Sequence, residues 1–321
     1  MNCNELISVI VLSYNSDWDK TRRTLYSILI QKNVTFEIVV SDDGSKNNNY
    51  ALIEEYFASM SFNNYVLVKN EKNMGIIKNS LSALEHAKGD YVKLISPGDF
   101  LYNEFALEKI FSYAKQTSAD LCCANAVYYS IEDSEIAFWD DLYLPRNVTP
   151  YIQKNKREIR RSLLFNGNYL HGAAFFVKKA ALKEALLFAS PTPRFAEDVA
   201  VSFFLAAKKK NVVFCDFSMF GNKNCPSFIW YEYGSGISSA TETKNIFNEL
   251  DEPKKMLELL KTAGLVSNFE WFYRYGKNSI CKKIVKILMN PCQYVHDKFH
   301  LKYKTMKRDY DASCLKKILE S

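Results

Sequence analysis

The signatures of cofactor and phosphate-loop enzymes are missing from this chain. Its 321 residues contain neither a GxGxxG turn nor a Walker loop, so dehydrogenase-like and kinase-like readings lose their phosphate cradle. The four histidines, at 86, 171, 296 and 300, never take HExxH spacing, and there is no Gly-x-Ser-x-Gly elbow; zincin and serine-hydrolase constellations fall away. The eight cysteines, at 3, 122, 123, 215, 225, 281, 292 and 314, show neither CxxC nor zinc-type spacing. With no signal sequence ahead of the first apolar strand, that pattern predicts a reduced, cytoplasmic setting. No run of about 18 uninterrupted apolar residues offers a membrane-spanning helix. Repeats and low-complexity segments are absent as well.

What is present is ordinary globular material, 48% hydrophobic and 24% charged, long enough for one large α/β domain with an appendage. The net charge of +6 is unevenly placed. Residues 271–321 hold 12 Lys/Arg against 4 Asp/Glu, a balance of +8, which leaves −2 for residues 1–270. Within that tail Ile280, Ile284, Ile287 and Leu288 fall at helical spacing beside Lys282, Lys283 and Lys286. Such a segment suits either an anionic membrane surface or a solvated helix packed on the rest of the chain. Nucleic acid is a poor partner, because the charge is confined to the tail and no nucleic-acid motif accompanies it.

Strand and helix patterns alternate through the first third, the mark of a parallel sheet covered by helices. Strands are expected at Ile7–Leu12, Glu37–Ser41, Tyr65–Lys69 and Tyr91–Ile95. The stripes Leu25/Ile28/Leu29, Leu52/Ile53/Tyr56/Phe57/Met60 and Ile77/Leu81/Leu84 are read as core faces of the intervening helices. Beyond Asp99 the alternation loosens: a helix through Leu107–Ala114, one strand at Leu121–Tyr129, then Ile159–Leu164, Ala173–Val177, Ala180–Phe188, a helix from Glu197, and Val212–Phe217. Gly234-Ser-Gly236 reads as a loop, followed by a polar helical segment over Thr243–Leu260. The expected architecture is a mixed α/β sheet flanked by helices, over residues 1–240, with a basic helical region at 241–321.

Carboxylates mark three strand ends or helix starts: Asp42/Asp43, Asp99 in Ile-Ser-Pro-Gly-Asp-Phe, and Glu197/Asp198. Ligands of open α/β sheets collect at the carboxyl edge. Acids there can hold a divalent cation against a diphosphate, recognise a sugar or base, or abstract a proton.

Together the segments Ser8-Val-Ile-Val-Leu-Ser-Tyr-Asn15, Ile38-Val-Val-Ser-Asp-Asp-Gly-Ser45, Asn73-Met-Gly75 with Lys78-Asn79, Lys88-Gly-Asp-Tyr-Val-Lys-Leu-Ile95 through Asp99, and Glu197-Asp198 resemble the inverting family-two glycosyltransferases of the GT-A fold. The resemblance covers about residues 6–240. It implies a nucleotide-binding half at about 1–100 and an acceptor and catalytic half at 101–240. The donor, a UDP-linked sugar, would meet Ser13, Tyr14, Asn15, Asp42, Asn73, Gly75, Lys78 and Asp99, with Asp43 shaping the turn. Asp198 would be the general base and Glu197 would orient it or the acceptor. His171, Trp230, Tyr231 and Ser238 are candidates for the acceptor pocket or a closing lid.

One motif departs from the family pattern. Where relatives carry Asp-x-Asp-Asp, this chain has Ser96-Pro-Gly-Asp99, so a Mn or Mg ion would keep Asp99 alone as its protein acid, or Lys78 would share its charge-neutralising role. The resemblance further implies a glycan or lipid-linked acceptor in bacterial surface polysaccharide synthesis. Residues 271–321 would then rest on the inner face of the cytoplasmic membrane. Two rivals stand beside this reading: a non-catalytic nucleotide-sugar scaffold, and a GT-A-like nucleotidyltransferase, which would need a basic Gly-rich loop that Leu12-Ser-Tyr-Asn-Ser-Asp17 does not provide.

Overall fold

The computed structural model describes residues 5–132, 135–138, 144–192, 196–217, 227–233, 251–276, 280–289, 291, 295 and 311–321. Four parallel strands form its first half: β1 (Leu6–Ser13), β2 (Thr35–Asp42), β3 (Tyr65–Lys69) and β4 (Tyr91–Ile95). They alternate with α1 (Trp18–Leu29), α2 (Tyr50–Ser59) and α3 (Ile76–His86). The central strands are near-continuous apolar runs because helices or chain cover both faces, and Ile7, Val9–Val11 and Ile38–Val40 are fully buried. The expected stripe of α2 is only half core: Ile53 and Phe57 are buried, whereas Leu52 and Met60 are exposed.

The chain then runs through β5 (Phe100–Leu101), α4 (Ala106–Thr117), β6 (Leu121–Ala124), β7 (Ala126–Glu132), β8 (Glu135–Phe138), α5 (Thr149–Ile152), α6 (Lys156–Asn166), a 3-10 turn at Gly172–Ala174, β9 (Phe175–Lys178), α7 (Lys179–Ala189), α8 (Glu197–Ala207), β10 (Val212–Cys215) and β11 (Ile229–Glu232). The main sheet has seven strands in the order β10-β6-β9-β4-β1-β2-β3, with β9 antiparallel to both its neighbours. A second sheet, β5-β11-β7-β8, stands beside it. The single strand expected over Leu121–Tyr129 is therefore two, one in each sheet. The break falls at Asn125, whose carbonyl accepts from Phe228 N–H and Ser227 Oγ instead of continuing a ladder.

Strand order reverses at β1, which has β2 on one side and β4 on the other. That switch point opens a crevice at the carboxyl ends of β1 and β4. Helix α1 frames it, begun by an Asp17 side chain that accepts from Lys20 N–H. Its buried face carries hydroxyls for a reason: Thr24 Oγ1 accepts from Gly98 N–H at 3.0 Å and Ser27 Oγ from Leu101 N–H at 3.2 Å, satisfying backbone donors of the turn after β4.

Helices α9 (Glu252–Thr262), α10 (Asn268–Tyr275), α11 (Ile280–Met289) and α12 (Ser313–Glu320) follow. Helix α9 packs on α8, and α12 on α1; Leu257, Leu260, Leu315 and Ile318 are fully buried. Arg160 joins α6 to α10 through Glu270 Oε1 at 2.9 Å and the carbonyls of Ala207 and Leu265.

Candidate active site

The turn that ends β2 is held by its own acids. Asp42 accepts from Ser45 N–H at 2.8 Å and from Ser45 Oγ at 2.5 Å, while Ser45 Oγ accepts from Asn15 N–H at 2.7 Å. Asp42 thereby fixes, through Ser45, the segment after β1 in which Asn15 takes a left-handed φ of 48° and the Tyr14 ring stands 49% exposed. Asp43 reaches the other way, accepting from Met74 N–H and Gly75 N–H, each at 2.9 Å. Gly44 is required between them: a Cβ there would lie 2.5 Å from the Lys72 backbone. Asn73, Gly75 and an exposed Lys78 at the start of α3 thus line the same edge as Ser13, Tyr14 and Asn15.

Glu197 and Asp198 open α8, where the helix dipole favours carboxylates. Burial opposes it. Desolvation raises the Asp198 carboxyl, with Val199 N–H at 2.7 Å pulling the other way. Burial first, and the Asp198 charge second, push Glu197 up to about 8. Two acids side by side resist losing both protons.

Asp198 packs on the backbone of the His171–Ala174 turn. A Cβ at Gly172 would sit 2.5 Å from Asp198 Cβ and 2.9 Å from its Oδ2, so glycine is what lets the carboxylate lie there. His171 meets Tyr231 at 4.7 Å and Tyr128 at 5.1 Å between ring centroids, both edge-on. The structure therefore brings His171, Tyr231 and Asp198 together.

Trp230 does not join them. Expected as a lid or acceptor face, it is fully buried in the second sheet, stacked on Tyr102 at 4.4 Å with its indole N–H donating to Tyr102 O at 2.8 Å. An aromatic residue alternating along a strand has its neighbour, Tyr231, on the other face. Ser238 lies outside the described residues.

Sequence reasoning passed over Lys93. It sits in the middle of β4 with no exposed surface, its Nζ donating to Ala173 O and resting 5.3 Å from the centroid of the Phe228 ring. Its charge reaches Asp99 on one side and Glu197 on the other; burial outweighs both and lowers the ammonium to about 8. Asp99 is in turn raised by burial to about 7, with Lys93 opposing. A lysine inside an apolar strand was the available signal.

The glycosyl transferase family 2 model matches residues 8–186, more than half of the chain and every element of the nucleotide-side edge. The chain belongs to this family. Its curated relatives include the poly(ribitol-phosphate) β-N-acetylglucosaminyltransferase TarP of Staphylococcus aureus, 33% identical over 119 residues, 36% of this chain and 35% of TarP. The glycosyltransferase GlyA of Streptococcus pneumoniae is 27% identical over 139 residues, 43% of this chain and 19% of GlyA. The chain thus spans about a third or less of the length of these relatives. Among solved structures, S. aureus TarS 1–349 in complex with UDP-GlcNAc superposes with a TM-score of 0.49 at 19% identity, covering 90% of this chain and 80% of that one. The mixed, helix-flanked sheet is the architecture the family resemblance implied.

The family pattern implies a divalent cation, and the donor set can be tested for it. The Ser96–Asp99 turn supplies one carboxylate, Asp99. Among the described residues no three His, Cys, Asp or Glu side chains gather as a ligand cluster. The neighbouring carboxylate, Glu232, is already held by the Lys20 ammonium at 2.7 Å. A hard cation needs only one or two carboxylates beside substrate phosphates and water, but here the one acid, Asp99, already feels the positive charges of Lys93 and Lys20, and with that competing charge in place these residues do not fit one.

Proposed function

We propose that this family member transfers a sugar, with inversion, from a UDP-linked donor to a hydroxyl of a surface glycan or lipid-linked acceptor. The observation that carries the reading is Asp198: a half-buried carboxylate, raised by burial, seated on Gly172 at the start of α8. Asp198 takes the acceptor hydroxyl proton as that oxygen forms its bond to the anomeric carbon. The bond from that carbon to the diphosphate breaks on the opposite face, and the diphosphate leaves with the electron pair. Glu197, pushed up to about 8 by burial and by the Asp198 charge, keeps its proton and orients the acceptor. Lys93 holds Ala173 O, and with it the turn on which Asp198 rests. Tyr14 offers its ring to the uracil, Asn15, Asn73 and Gly75 border the ribose and phosphates, and Tyr231 and His171 face the acceptor. The activity for which TarP is named, transfer of N-acetylglucosamine to poly(ribitol phosphate), supports a hydroxyl-bearing polymer as acceptor.

Asp198→Asn tests the base. It is expected to bind the donor as wild type does while transfer and donor hydrolysis fall by about 10²–10⁴-fold, the usual contribution of a positioned base. Wild-type turnover in that variant sinks the reading. NMR of the first-formed product reports the anomeric configuration, and retention would rule out the single displacement.

The same reading places the protein on the inner face of the cytoplasmic membrane. No described helix is long and apolar enough to cross a bilayer. Helix α11 supports surface contact instead: Ile280 is 77% and Leu288 76% exposed, with Ile284, Ile287 and Lys283 exposed between them. A helix with such a stripe beside lysines lies in an anionic interface.

A further inference from the structure

The turn after β4 is where the misfit with a cation becomes informative. Gly98 takes a φ of +103° and is fastened from below by Thr24, whose Oγ1 accepts from Gly98 N–H and donates to Asp99 O, each at 3.0 Å. From one turn earlier on α1, Lys20 arches over the open side of that same glycine. A methyl group at Gly98 would lie 3.6 Å from Lys20 Cδ and 3.7 Å from Glu232 Oε2. Lys20 Nζ meets Glu232 Oε2 at 2.7 Å, bridging α1 to the end of β11. Where the family pattern has its second acid, this chain has glycine, and the space beside it is bordered by the Lys20 stem and the Glu232 carboxylate that its ammonium meets.

A nucleoside diphosphate brings two or more negative charges to the crevice. Left uncompensated they would face Asp99 and Glu232 across a partly desolvated gap, which is costly. A lysine ammonium is an effective point-charge partner for phosphate. The Lys20 side chain is 40% exposed and Glu232 21%, and an ion pair that open contributes little; its exchange for a phosphate is correspondingly cheap. The flexible lysine stem gives Nζ the freedom to make that exchange.

We infer that Lys20 stands in for the divalent cation: its ammonium leaves Glu232 for the donor's diphosphate, and Glu232 parks it when the site is empty. The inference rests on the nucleotide-sugar reading above. It makes Lys20 a specificity residue for the diphosphate and Glu232 its antagonist, and it makes binding indifferent to chelation.

Calorimetry of the full chain with uridine and with UDP, each in EDTA and in manganese, tests it. Wild type is expected to bind UDP more tightly than uridine by the same factor in both buffers. Lys20→Met is expected to lose tenfold or more of that factor, taking about 1.4 kcal/mol from UDP binding, with uridine affinity unchanged. Lys20→Arg keeps the advantage and Glu232→Gln enlarges it severalfold. A UDP advantage that exists only with manganese, or that Lys20→Met retains in full, overturns the inference while leaving the nucleotide reading intact. Failure of wild type to bind either uridine or UDP overturns that reading and this inference with it.

Discussion

Gly172→Ala adds one methyl group to the contact on which Asp198 rests. The new Cβ would stand 2.5 Å from Asp198 Cβ, 2.9 Å from Oδ2 and 3.0 Å from Cγ, against an optimal carbon separation of about 3.5–4.0 Å. Asp198 must therefore retreat by about 1 Å. It has little room: the start of α8 is tied by Glu252, which accepts from Ala196 N–H at 3.2 Å, and the Asp198 carboxylate itself accepts from Val199 N–H at 2.7 Å. Overpacking of this kind costs about 1–3 kcal/mol, and in a domain of this size each kcal/mol lowers Tm by about 2–4 °C. A 1 Å misplacement of a reacting group costs about 10²-fold in rate. Steady-state transfer, thermal melts and a donor titration on the one variant separate these effects. The expected outcome is a Tm lower by several degrees, an unchanged donor Kd and a kcat down by about two orders of magnitude. If the melt moves and kcat does not, the strain has been absorbed by a carboxylate with no part in the reaction, and Asp198 is not the base.

Lys93→Met, which replaces a buried charge by an apolar chain of similar length, is expected to leave the fold intact while lowering kcat by about 10–100-fold through the loosened 171–174 turn. It also removes the positive charge that holds Asp99 and Glu197 down, so those two carboxyls keep their protons to higher pH, while the acid limb of kcat/KM, set by Asp198, stays where it is in the wild type. In the wild-type chain that limb lies above the ordinary aspartate range, because burial raises Asp198 and the base works only when ionised. The stability consequence has a definite sign. Glu197 titrates at about 8 when folded and near 4.3 when unfolded; the folded state holds the proton more tightly, and the stability this gives below pH 4 is lost as pH rises to 8. Glu197→Gln should accordingly gain Tm relative to wild type between pH 5 and pH 8, and a constant difference would show that Glu197 is not perturbed. For the tail, Ile284→Ser with Leu288→Ser should reduce sedimentation with phosphatidylglycerol vesicles without altering activity on a water-soluble acceptor; equal sedimentation refutes the membrane contact.

The nucleotide-side edge could be read from the sequence because its strands are buried on both faces and appear as continuous apolar runs ending in turn residues. Strand ends, glycine turns and helix starts then fall at legible positions, as Gly44 and Gly75 do. What could not be read has a common cause in tertiary context. The crossing of the chain from one sheet to the other at Asn125 leaves no local mark, since Leu121–Ala124 and the residues after it are equally apolar. Trp230 looked like a lid because it neighbours Gly234, whereas its burial depends on Tyr102, over a hundred residues away. Lys93 broke an apolar strand without saying what it faced. Its partners come from the turn after the same strand, Asp99, and from the start of a helix a hundred residues later, Glu197. Asp42 and Asp43 were visible as carboxylates at an edge, but not the division of labour between them, one bracing Ser45 and the other the Met74–Gly75 backbone.

The seating of α12 on α1 and of Glu252 against the start of α8 sets a timetable for biosynthesis. The helix that carries Lys20 and Thr24 keeps an apolar flank uncovered until Leu315 and Ile318 arrive, nearly three hundred residues later. At about 5–20 residues per second, the interval between emergence of residue 240 and residue 318 is roughly 4–16 s. Through that interval the nascent chain holds every residue assigned to the donor and the base, and α8 gains Glu252 early in it, yet α1 waits for α12 to the end. A ribosome stalled in that window would present an assembled sheet without a working crevice, and a chaperone binding there would find its target on α1.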